Sequence, residues 1–205
     1  MAKKKQSLRI PNRASMFPWL LILGSVVAIV ASFVLSLDDL RLLQNPNFIP
    51  SCNLNPVLSC GTVMQTHEAS VFGFPNSWIG LAMFASVLTV GVALLAGATF
   101  KRWFWLTFKA GMFAGLLFAY WMFFESVFRI KALCPFCLSV DIVTITINWY
   151  LTIYLFDHGL LKVPTRLKRV VSFAQQHHLE LLVTWIIVLI AFILQHFWYY
   201  YGQFL

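Results

Sequence analysis

Charge is scarce in this chain. Only 11% of the 205 residues are Asp, Glu, Lys or Arg, and the acidic ones number seven. An ordinary soluble domain carries about a quarter charged residues, so this chain cannot cover itself with a solvated surface. No internal repeat or low-complexity tract is present, which argues against a repeat array. A soluble nucleic-acid reader is missing as well. The net charge of +8 comes from basic residues clustered between apolar runs, a pattern that sets membrane orientation, and no nucleic-acid partner is expected. What the chain does have is hydrophobicity: 60% apolar residues and a mean hydropathy of +0.79. An all-α integral membrane protein with one membrane domain is expected.

Five apolar runs cover roughly 17–37, 77–98, 104–128, 133–156 and 179–201. Each is long enough for a helix of about 20 residues crossing about 30 Å of hydrocarbon. The first follows Lys3, Lys4, Lys5, Arg9 and Arg13. It exceeds the apolar core of a signal peptide, about 7–15 residues, and lacks a convincing cleavage site, so it reads as a retained anchor. The basic tail 1–16, the turn with Lys101 and Arg102, and the loop 157–178 with Lys162, Arg166, Lys168 and Arg169 fall on one side. Only Arg41, Arg129 and Lys131 fall on the other, beside Asp38, Asp39 and Glu68. The positive-inside rule predicts a cytoplasmic N-terminus. The long segment 38–76, with its interspersed Leu and Val, is expected to form an extracytoplasmic cap with short amphipathic helices. The fifth span would occupy 179–205.

The four cysteines fall in two pairs on that outer face. Cys134 and Cys137, with Pro135 after the first, open the fourth span. Proline suits a helix's first turn, and the spacing brings two sulfurs within disulfide range at the positive end of a helix dipole, which favours the thiolate. Cys52 and Cys60 would lie about 12 Å apart on a straight helix, beyond the roughly 7 Å limit for a disulfide. Pro56 permits the segment to fold back, and a loop of this kind can present Cys60 to Cys134 for thiol–disulfide exchange. Two fixed structural disulfides on an oxidising surface, in a non-enzymatic membrane protein, would also account for four cysteines. A zinc site fits less well, because the Cys52/Cys60 spacing is wide for a zinc knuckle.

Cys52-Asn-Leu-Asn-Pro-Val-Leu-Ser-Cys60-Gly, then Val71-Phe-Gly-Phe-Pro-Asn-Ser, then Cys134-Pro-Phe-Cys137, together resemble the vitamin K epoxide reductase (VKOR) family. The likeness is to its bacterial members in particular, over about 17–156. The DsbB family also has two outer pairs, but in the reverse order. The resemblance implies a four-helix bundle around a quinone (ubiquinone or menaquinone), with the outer loop as its cap and the fifth helix beside it. It implies that Cys52 receives electrons from a thioredoxin-like (DsbA-type) partner, that Cys60 attacks Cys134, and that Cys137 lies next to the quinone. The activity implied is thiol:quinone oxidoreduction promoting disulfide formation in exported proteins, in the bacterial inner (cytoplasmic) membrane. Reduction of vitamin K epoxide itself shares the cysteines and stays open. Many bacterial relatives continue into a thioredoxin-like domain after the fifth span; this sequence stops at Leu205, so either a separate partner or a truncated chain is expected.

Asn76 matches the family position whose amide bonds a quinone carbonyl; from the residues alone it reads as a helix cap. Asp141 stands where some members carry an aromatic hydroxyl and shares a helical face with Cys137. Either it exchanges a proton with the quinone, or it complements the helix N-terminus, worth about 0.3–1 kcal/mol. Glu125 is expected to pair with Arg129. The aromatic residues, including 20 Phe and eight Trp, are read mainly as packing and interfacial anchors.

Overall fold

A backbone inside hydrocarbon must satisfy its own hydrogen bonds, and helices do so locally. The computed structural model describes residues 11–161 and 168–202. The basic residues Lys3, Lys4, Lys5, Arg9, Lys162 and Arg166 lie outside the described residues. Five helices are long and apolar enough to cross a membrane, over 16–44, 76–95, 102–130, 135–157 and 178–196. The protein is an all-α, multi-pass membrane protein.

Helix α1 (Pro11–Gln44) continues past the expected end of the first span at residue 37. The two aspartates that look like a break are accommodated on the helix. Asp38 lies 3.5 Å from the Arg41 guanidinium, and Asp39 accepts a bond from the Ser77 hydroxyl at 3.2 Å. The cap therefore begins at Asn45. It carries the short helix α2 (Cys60–Met64) and a 3₁₀ turn, His67–Ser70. Helix α3 (Asn76–Leu95) ends before Gly97, whose φ of +86° suits a left-handed helix stop. Helix α4 (Arg102–Phe124) runs on as a π-helical turn, Glu125–Ile130, in which Glu125 pairs with Arg129 at 3.1 Å. Lys131, with φ 58°, terminates it. Then follow α5 (Pro135–Asp157), α6 (Lys168–Gln176), α7 (His178–His196) and α8 (Trp198–Tyr201).

Helix α1 packs between α3 and α5, and α4 lies on α5. With no water to expel, membrane helices associate through close packing of small residues. Accordingly α1 buries Ser25, Ala28, Ser32 and Ser36, and the Ser36 hydroxyl returns a 2.8 Å bond to the Ser32 carbonyl. Opposite them on α3, a Cβ at Gly80 would stand 2.6 Å from the Ser32 hydroxyl, and one at Gly91 would stand 3.2 Å from the Pro18 carbonyl. Phe84, Val87, Met112, Ile147 and Leu151 fill the interior. Helix α7 is peripheral. Of its residues only Leu182 is buried, and its outward Val183, Ile187 and Leu194 suit contact with lipid.

Overpacking a close helix crossing costs about 1–3 kcal/mol. Gly91→Leu is therefore expected to lower the thermal unfolding midpoint in detergent, whereas Gly111→Leu, where a Cβ meets open space, leaves it unchanged.

Candidate active site

The segment between the first two cysteines folds back through asparagine chemistry. The Asn55 side-chain oxygen accepts from the backbone N–H groups of Val57 (3.0 Å) and Leu58 (2.7 Å), an Asx turn with Pro56 at its corner. The N–H groups of Leu54 and Asn55 both donate to the Leu58 carbonyl. Asn53 closes the loop by accepting from Gly61 N–H at 2.8 Å. These bonds bring the Cys52 and Cys60 Cα atoms to 5.7 Å, and the two residues form a disulfide.

Cys60 opens α2, whose N-terminus is capped by Ser59: its hydroxyl oxygen accepts from Thr62 N–H at 3.2 Å. One step earlier the chain is strapped to the start of the fourth span. Leu58 and Leu133 form an isolated parallel bridge, with Leu133 N–H donating to the Val57 carbonyl (2.7 Å) and Ser59 N–H donating to the Leu133 carbonyl (2.9 Å). Cys134 follows Leu133 directly and Cys60 lies two residues after Leu58, so the bridge sets these two cysteines side by side. The Cys134 thiol donates to the Cys60 sulfur at 3.3 Å, van der Waals contact for two sulfurs.

Cys134 is the N-cap of α5, its sulfur accepting from Cys137 N–H at 3.3 Å, and Pro135 takes the first helical position. Cys134 and Cys137 are both free; the first is buried, the second half-buried. All four cysteines share an apolar cluster with Leu35, Val63, Ala132 and Phe136. Cys52 is only 6% exposed.

The two other residues singled out from sequence, Asn76 and Asp141, are not members of this apolar cluster. Asn76 does not cap α3: Pro75 holds the cap position and no side-chain capping bond forms. Its amide nitrogen donates to the Glu68 carbonyl at 2.7 Å and faces the Met122 sulfur at 3.8 Å. The Glu68 carbonyl requires a donor, which fixes the amide's orientation and leaves Oδ1 buried without a partner among the described residues. Asp141 lies within electrostatic reach of Cys137, as does Asp39. Asp141 lines a small apolar cleft of about 90 Å³ between α4, α5 and α7, with Leu116, Tyr120, Ile145 and Ile190 among its other walls. Cys137 and Asn76 do not line that cleft.

Sequence reasoning passed over Asn53, Asn55 and the Leu58–Leu133 bridge. The asparagines were readable, since Asn-x-Asn-Pro between two cysteines is turn chemistry. The bridge was not, because a single pairing leaves no periodic trace. Leaving Gly61 N–H unpaired costs about 1–3 kcal/mol. Asn53→Ala should therefore speed amide hydrogen exchange over 60–65, measured by mass spectrometry, without changing exchange in α3 and α5.

A family model described as the Vitamin K epoxide reductase family matches residues 19–152. No curated protein compared with the chain matches it. The matched stretch contains the capping loop, all four cysteines, the second and third spans and most of the first and fourth, and the chain belongs to the vitamin K epoxide reductase family.

Proposed function

We propose that the protein is a membrane thiol:quinone oxidoreductase that takes electrons from a separate thioredoxin-like (DsbA-type) partner and promotes disulfide formation in exported proteins. The observation that carries this reading is the 3.3 Å contact between the Cys60 and Cys134 sulfurs with the Cys52–Cys60 bond closed. Family membership supports an oxidoreductase. The contact supports a relay over two fixed bridges, since a structural role would leave Cys134 and Cys137 joined to each other.

The exchange balances as follows. A partner thiolate attacks Cys52, Cys60 leaves as a thiolate, and the partner's second thiol closes the partner disulfide. Cys60 then attacks Cys134 of a Cys134–Cys137 disulfide, releasing the Cys137 thiolate, and Cys52 displaces Cys134 by attacking Cys60. Cys52–Cys60 is again a disulfide, and two electrons rest on Cys134 and Cys137. This last state is the bonding pattern of the structure. Because Cys52 is buried, the partner engages it after the capping loop opens.

A bound quinone, ubiquinone or menaquinone, supplies an acceptor for two electrons and two protons. The residues fit such a group. Asn76 offers an unpartnered buried oxygen for a quinol hydroxyl, and its second N–H, met only by the Met122 sulfur, remains for a carbonyl. Cys137 is the half-buried member of its pair. Within this reading residues 17–156 form the catalytic unit. The membrane is the bacterial inner membrane, with the N-terminus cytoplasmic and the cysteines outside, supported by Lys101, Arg102, Lys168 and Arg169 at the opposite end of the bundle.

Anaerobic quinone reduction driven by a reduced thioredoxin-like donor tests this function. Turnover is expected in the intact protein and should fall to background in Cys137→Ala. The double variant Cys52→Ser/Cys137→Ala leaves only the two contacting sulfurs and should accumulate a Cys60–Cys134 disulfide, seen by mass spectrometry. Turnover surviving without Cys137, or no such bond in the double variant, would refute the relay.

A further inference from the structure

Charged side chains within membrane spans are costly and ordinarily serve a function. Two of them here, Lys109 and Asp141, take no part in thiol exchange. Lys109 lies on α4, about 10 Å of helix rise from its start at Arg102. A lysine near a span's end usually reaches back to the interface. This one turns into the bundle, where its ammonium donates to the main-chain carbonyl (3.3 Å) and side-chain oxygen (3.0 Å) of Asn148 on α5. No carboxylate among the described residues pairs with it.

Asn148 is buried and fully engaged. Its amide donates to the carbonyls of Met112 (2.8 Å) and Thr144 (3.1 Å), and the Thr152 hydroxyl donates to its carbonyl at 2.7 Å. Along α5, Cys137, Asp141, Thr144, Asn148 and Thr152 recur at the three- and four-residue steps that share one helix face. They form a polar stripe along one face of the span; Ser139 and Thr146 lie off it and bond only to their own helix. Thr144 stands between Asn148 and Asp141, about 4.5 Å of rise from the latter. Hydroxyls bonded to their own helix are ordinary packing in membrane helices. Packing alone does not explain an ammonium held only by neutral groups at one end and a carboxylate without a hydrogen-bond partner among the described residues at the other.

We propose that this stripe conducts protons from the Lys109 end of the bundle to Asp141 beside Cys137, so that the protons consumed in quinone reduction come from the membrane face opposite the cysteines. The inference rests on the thiol:quinone reading above. In balance, the partner dithiol gives up two electrons and releases two protons on the cysteine face. The quinone takes up those two electrons and two protons drawn through Lys109. Each turnover then moves charge across the membrane, although the summed reaction neither gains nor loses protons.

The test uses proteoliposomes containing quinone and a trapped pH dye, with valinomycin and potassium to discharge voltage. A reduced, impermeant thioredoxin-like donor outside reaches only molecules whose cysteines face outward. The lumen is expected to lose two protons per quinone reduced. A lumen that stays at constant pH while quinone is reduced overturns the route, and that measurement needs no variant. Lys109→Arg keeps the cation and its donors but does not release its proton; lumenal uptake and quinone reduction should both fall on the order of 10²-fold. Full turnover in Lys109→Arg would assign the cation a structural role and overturn the proposal. The Cys60–Cys134 bond formed on a Cys52→Ser/Cys137→Ala background reports that the bundle is intact. Absence of quinone reduction in the unaltered protein would overturn the underlying function, an outcome separate from quinone reduction without lumenal proton uptake.

Discussion

Two backbone hydrogen bonds hold this protein's chemistry together. Leu133 N–H to the Val57 carbonyl and Ser59 N–H to the Leu133 carbonyl tie a loop that follows the first span to the residue preceding the Cys134 helix cap. Each such bond contributes only about 0.5–1.5 kcal/mol net. Their effect is positional: they place sulfurs separated by 74 residues of sequence at 3.3 Å. The strap is shielded by Val57, Val127, Leu133 and Phe197, all buried, so water does not compete for its donors. The asparagine turns on one side and the cysteine cap on the other settle the remaining geometry.

The spans and the order of the cysteine pairs were readable because both are written in local composition. Apolar length reports a crossing helix, and Cys-Pro-x-Cys reports a helix start. The end of α1 was misplaced because Asp38 and Asp39 look like loop residues. Their partners Arg41 and Ser77 lie on α1 itself and on α3, and the latter is invisible to a local reading. Asn76 illustrates the same limit. An asparagine at a span's entrance suggests a cap, but the Glu68 carbonyl, which lies in the cap and is not near in the helix, takes its amide instead. Lys109 was in plain view as a cation in the third apolar run. Its significance comes from Asn148, a residue on the next helix.

The distribution of polar groups separates two tasks. Around the cysteines the surroundings are apolar, with Leu35, Val63, Ala132 and Phe136, which leaves the sulfurs few partners but one another. Polar side chains instead gather along helix seams: Ser36, Ser77 and Asp39 between α1 and α3, and Lys109 and Asn148 between α4 and α5. In hydrocarbon such groups have few alternative partners, so each contact also fixes the register of one helix against the next.

Phe197, just beyond α7, is fully buried and packs against Val57, Val127 and Leu133, although it lies outside the stretch matched by the family. The fifth helix thus carries, at its far end, part of the apolar cover over two hydrogen bonds to which it contributes neither donor nor acceptor. Loss of that ring would open Val57 and Leu133 to water, so the dryness of the strap depends on a segment remote from it in sequence.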